Sequence, residues 1–168
     1  MTNDLPSPIG FLKELFNHLK LKNIDVKDLY LDHICYRVAS TQRYMELRDQ
    51  LMSGNKLLVE SDVNGRMIAT FKLSSPIEYE QRIIDCLELP APKPGSSYPE
   101  GFEHVEFVIK EDFETFMKRY PHCHFNTKAM QKKFNPEIRL DLTDSIAVKF
   151  HHMDLEKVIE IESGTIEQ

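Results

Sequence analysis

Phe11, Leu12, Leu15, Phe16 and Leu19 recur at helical spacing, with Lys13, Glu14, Asn17 and Lys20 on the opposite side. This predicts an amphipathic helix of about four turns. After Asn23 a short helical or turn segment carrying Val26 and Leu29 leads into a strand over residues 31–38. A helix then starts at Ser40 or Thr41, either of which can cap it, carries Tyr44, Leu47 and Leu51 inward and stops at Gly54. Strands over 56–63 and 66–73 follow, joined by Asn64-Gly65, the dipeptide best suited to a two-residue turn with positive φ at both positions. A further strand covers 82–89. Residues 90–101 are rich in proline and glycine, cannot continue either periodicity, and read as a connection.

Beyond that connection the same order returns: a strand over 102–109, a helix over 111–120 with Phe113, Phe116 and Met117 inward, and strands over 137–142, 145–150 and 156–161. The pattern is β-α-β-β-β twice. His33-Ile34-Cys35-Tyr36 opens the first copy and His104-Val105-Glu106-Phe107 the second; Leu87-Glu88-Leu89 closes the first and Ile159-Glu160-Ile161 the second. The chain is therefore expected to be α+β: two βαβββ modules, 31–89 and 102–168, forming a curled mixed sheet around a cleft. Residues 1–30 make a helical extension, 90–101 the linker, and the whole one compact domain.

Alternation along each strand separates two faces. Ile34, Tyr36 and Val38 oppose His33, Cys35 and Arg37, and Val105, Phe107 and Ile109 oppose His104, Glu106 and Val108. Ile138, Leu140 and Leu142 oppose Glu137, Arg139 and Asp141, while Ile146, Val148 and Phe150 oppose Ala147, Lys149 and His151. The apolar faces call for helices over them. The polar faces either meet water or line a cleft; the recurrence of His and Glu at matching places in both copies favours the cleft.

Composition narrows the function classes. The hydrophobic fraction of 41% is enough for a core, and a net charge of −6 gives no basic footprint for nucleic acid. No apolar run reaches the roughly eighteen residues of a membrane span, and no secretory signal is read at the start, so a soluble cytoplasmic protein is expected. Cys35, Cys86 and Cys123 are odd in number and widely spaced, indicating neither a disulfide framework nor a thiolate zinc site.

The duplicated unit, the Asp32-His33-Ile34 and Glu103-His104-Val105 openings and the Ile159-Glu160-Ile161 ending resemble the vicinal oxygen chelate superfamily of glyoxalase I, methylmalonyl-CoA epimerase, extradiol dioxygenases and bleomycin-resistance proteins. With its N-terminal helical extension the chain is similar to the bacterial YecM family. The resemblance implies a divalent metal (Zn, Fe, Ni, Co or Mn) held by His33, Glu88, His104 and Glu160, with Glu162 as an alternative to Glu160.

Such ligands leave open positions for substrate oxygens, and Glu88 or Glu160 would move the proton as the catalytic carboxylate. Arg37, Lys72, Arg139, Lys149 and His151 on the polar faces are candidates to bind an anionic small-molecule substrate. The implied activity is an isomerase, lyase or oxygenase; the alternative is a protein of the same fold that sequesters a small molecule without turnover. No nucleic-acid or membrane partner is expected, and the N-terminal helices offer a surface for a homodimer.

Overall fold

The computed structural model describes residues 5–96 and 98–164. Among them are four α-helices and seven β-strands in both parallel and antiparallel ladders, so the chain is α+β. It divides into two compact units, Met1–Ile9 with His33–Glu103 and Gly10–Asp32 with His104–Gln168. Two of the divisions fall inside strands, after Asp32 and after Glu103, and one falls at the start of a helix, after Ile9.

The first unit holds most of β1 (Tyr30–Arg37), then α2 (Thr41–Gly54), β2 (Lys56–Asp62), β3 (Met67–Tyr79) and β4 (Arg82–Pro90), the β-α-β-β-β order expected. Ser40 caps α2, its hydroxyl accepting from the Arg43 N–H at 3.0 Å, and Tyr44, Leu47 and Leu51 are buried. Beneath them lies one apolar face. Phe71 pairs with Leu87 and Ala69 with Leu89 across the antiparallel β3–β4 ladder, and Ile34 pairs with Leu87 across the parallel β1–β4 ladder. Tyr44 donates to Glu60 at 2.6 Å and Arg48 lies 3.1 Å from the same carboxylate, tying α2 to β2. The turn between β2 and β3 is the one its sequence demands: Asn64 and Gly65 have φ of 55° and 82°, and Val63 N–H bonds Arg66 C=O at 2.8 Å.

The second unit holds α1 (Ile9–Leu21) apart from its first residue, most of β5 (Gly101–Val108), α3 (Phe113–Lys118), a 3-10 turn (Lys128–Gln131), β6 (Glu137–Asp141), β7 (Ala147–His151) and α4 (Leu155–Glu162). The N-terminal helix thus belongs with the chain's second half. Leu12, Leu15 and Leu19 are buried, and Phe16 meets Phe107 edge-on at 6.2 Å. Phe107 stacks on Phe150 at 5.9 Å, and Phe116 of α3 packs on Phe150 at 4.5 Å. Burying aromatic rings of this size gives a short helix such as α3 the tertiary support it lacks alone.

One element departs from expectation. Residues 156–161, expected as a strand, form α4. Asp154 caps it, its carboxylate accepting from Lys157 N–H at 2.9 Å, and Glu156 stands in the first turn, where the helix dipole favours negative charge. The alternation Ile159-Glu160-Ile161 is too short to decide between periods, and the capping signal five residues upstream, at Asp154, outweighs it. No helix among the described residues is long and apolar enough to cross a membrane. The tail beyond Gly164, including Glu167, lies outside the described residues.

Candidate metal centre

In the first unit the polar face expected of β1 is present but buried: His33 and Cys35 are 2% and 0% exposed. Cys35 pairs with Glu88 across the β1–β4 ladder, and Glu88 pairs with the buried Thr70 across β3–β4. Paired residues share a face, so His33, Cys35, Glu88 and Thr70 line one side of these strands. Arg37, on the same face, sits 3.4 Å from the buried Glu103 carboxylate with its guanidinium 4.6 Å from the Tyr98 ring centre. Lys72 lies 2.9 Å from Asp85.

In the second unit β5 carries His104 and Glu106 on one face, both buried. The ladder with β7 sets Glu106 opposite Lys149, and the β6–β7 ladder sets Glu137 opposite His151. A chain of charged contacts results. His104 Nε2 lies 3.1 Å from Glu106 Oε1, Lys149 Nζ lies 2.7 Å from the same oxygen, and His151 Nε2 lies 3.5 Å from Glu106 Oε2. His151 Nε2 also lies 3.4 Å from Asp32 Oδ2, which accepts from the Leu155 N–H at 3.0 Å at the start of α4. The ring's other nitrogen, Nδ1, is 2.6 Å from Met153 C=O. Asn135 donates to that carbonyl at 3.0 Å and accepts from Met153 N–H at 3.3 Å, which fixes the segment after β7.

Each unit taken by itself presents ligand-type side chains on one strand face: His33, Cys35 and Glu88 in the first, and His104 with Glu106 in the second. Three of the four ligands that the resemblance implied, His33 and Glu88 in the first unit and His104 in the second, lie on these faces. The fourth, Glu160, and Glu162 with it, lies exposed on α4, the helix that forms in place of the expected strand. The carboxylate beside His104 is Glu106. Its signal was the two-residue spacing from His104, which puts both side chains on one strand face. Matching the two halves passed over it, because the corresponding position of the first half is Cys35.

The donor set suits a metal. Two imidazoles and two carboxylates match the borderline divalent ions from Mn to Zn. The 3.1 Å between His104 Nε2 and Glu106 Oε1 is the separation of neighbouring ligand atoms bound at about 2.1 Å in octahedral geometry. The remaining candidates are all engaged: Arg37 with Glu103, Lys72 with Asp85, Arg139 with Asp141 at 2.7 Å, Lys149 with Glu106 and Glu137, and His151 with Asp32 and Glu106.

The family model described as YecM protein matches residues 1–162. The chain belongs to the YecM family. Protein YecM of Escherichia coli K12 is 30% identical over 98% of this chain and 93% of its own length. An uncharacterized protein of Haemophilus influenzae Rd is 28% identical over 92% of each. Among solved structures, one titled Structural Genomics, Protein EC4020 superposes with a TM-score of 0.74 at 28% identity, covering 95% of this chain and 89% of that one. The match to the YecM family model thus takes in the N-terminal helix.

Proposed function

We propose that this YecM-family chain binds one divalent metal through His33, Glu88, His104 and Glu106 and acts on a small oxygenated substrate. The chemistry would be of the isomerase, lyase or oxygenase kind associated with vicinal oxygen chelate proteins. The observation that carries the reading is the donor pair that each unit presents: His33 with Glu88 on one strand face of the first, and the buried His104 and Glu106, 3.1 Å apart, in the second. Buried carboxylates and imidazoles are costly to hold together unless a cation or a hydrogen-bond network compensates them. The metal, when bound, polarises a substrate oxygen and makes an adjacent C–H more acidic.

The protein's own residues do the rest. Glu88, half-buried where the other three are buried, is the carboxylate that moves a substrate proton. Arg37, held by Glu103 and Tyr98, receives an anionic substrate group with two donors. Asp32 and His151 hold the Glu106 side.

The test is metal content. Purified protein equilibrated with Mn, Fe, Co, Ni or Zn and desalted should retain about one ion of the preferred metal per chain. His33→Ala and His104→Ala should each lose it, and Glu160→Ala should keep it. Substoichiometric retention of every metal, or retention indifferent to both histidine replacements, overturns the proposal.

A further inference from the structure

We propose that Lys149 is an internal competitor for the metal carboxylate Glu106, and that metal binding transfers its ammonium to Glu137. The inference rests on the metal reading above and adds a device that sets the affinity of that site.

The argument starts from one oxygen. Glu106 Oε1 is the atom nearest His104 Nε2, at 3.1 Å, so it is the oxygen placed to share an ion with that imidazole. The same oxygen accepts from Lys149 Nζ at 2.7 Å. An ammonium and a divalent ion on one carboxylate oxygen repel each other and draw on the same electron density, so each weakens the other's hold. The other oxygen, Oε2, faces His151 Nε2 at 3.5 Å.

The strands supply a second seat. Glu137 Oε1 already lies 3.4 Å from Lys149 Nζ, so a shift of about half an ångström in a flexible side chain makes it a full ion pair. The seat is free in the relevant sense, because Lys132 holds the other oxygen, Oε2, at 2.9 Å and need not be displaced. Glu137 and Lys149 have side chains equally buried at 15% exposure, so the transfer keeps the ammonium paired in the same partly screened setting. Register holds the parts in place: Glu106 faces Lys149 across β5–β7, and Glu137 is on the adjacent β6. The design yields a site whose affinity is lowered by its own lysine and partly restored by a neighbouring glutamate.

Opposite signs make this testable. Co²⁺ titration of the full chain, followed by its visible ligand-field spectrum and by calorimetry, reads affinity and ligand type without any activity assay. Lys149→Met should tighten Co²⁺ about tenfold or more, and Lys149→Gln should do the same. Glu137→Gln should weaken it several-fold in the wild-type background and have no effect in the Lys149→Met background. Unchanged or weakened binding in both lysine variants, their native fold checked by circular dichroism, overturns the inference. So does a Glu137→Gln effect that persists without the lysine. If wild type binds no Co²⁺, or His104→Ala leaves binding intact, the metal reading itself fails, which is a separate result.

Discussion

His151 and Asp32 come from the two separate chain segments of the second unit, yet the ring Nε2 lies 3.4 Å from the carboxylate, with both side chains almost wholly buried. The same Asp32 oxygen accepts the Leu155 N–H that opens α4. One carboxylate therefore links the start of β1, the end of β7 and a helix N-terminus, and it does so beside Glu106.

Removing it should cost stability in a localised way. Asp32→Ala leaves His151 without that partner and Leu155 N–H without an acceptor, a loss of about 3 kcal/mol. Chemical denaturation should show that loss, and hydrogen exchange should show the α4 amides opening first. A change below about 0.5 kcal/mol would be that of an unremarkable surface substitution and would contradict the pairing.

A pH dependence follows from Tyr36. Burial, with the Glu100 carboxylate 3.2 Å from its hydroxyl, pushes the phenol up to about 12. A group whose value is raised by folding contributes stability that is complete below its unfolded value, near 10, and is lost as pH rises toward 12. Tyr36→Phe should therefore lose less stability than wild type between these values. In a spectrophotometric titration the wild-type minus variant difference should ionise near 12; ionisation near 10 would contradict the assignment.

Gly65 tests the hairpin. Its φ of +82° strains any residue with a Cβ, while a methyl group there would meet no other atom within 4 Å. Gly65→Ala should thus cost about 1 kcal/mol through backbone strain alone. A thermal melt showing a neutral or stabilising effect would mean the turn is not of this type.

The parts of the fold that could be read in advance are those where period and punctuation agree. The α2 helix combined a serine cap, an inward Tyr44-Leu47-Leu51 stripe and a terminal glycine, and the β2–β3 turn carried Asn64-Gly65; both formed as expected. The segment 156–161 offered two periods at once, and duplication of the chain's first half argued for the wrong one, against the Asp154 cap. That error carried the carboxylate with it, because Glu160 was placed by analogy with Glu88. Glu106 was visible on the His104 face but had no duplicate to draw notice. Asp32 could not be read at all as a partner of His151, since nothing local to either residue encodes a contact so distant in sequence.

The most direct test of the metal centre is an anomalous difference map from a crystal of the protein soaked in Co²⁺ or Mn²⁺ and measured at the metal's absorption edge. The account predicts one strong peak within bonding distance of His33, His104, Glu88 and Glu106, and none near Glu160. A peak elsewhere, or none while the crystal diffracts well, would contradict it.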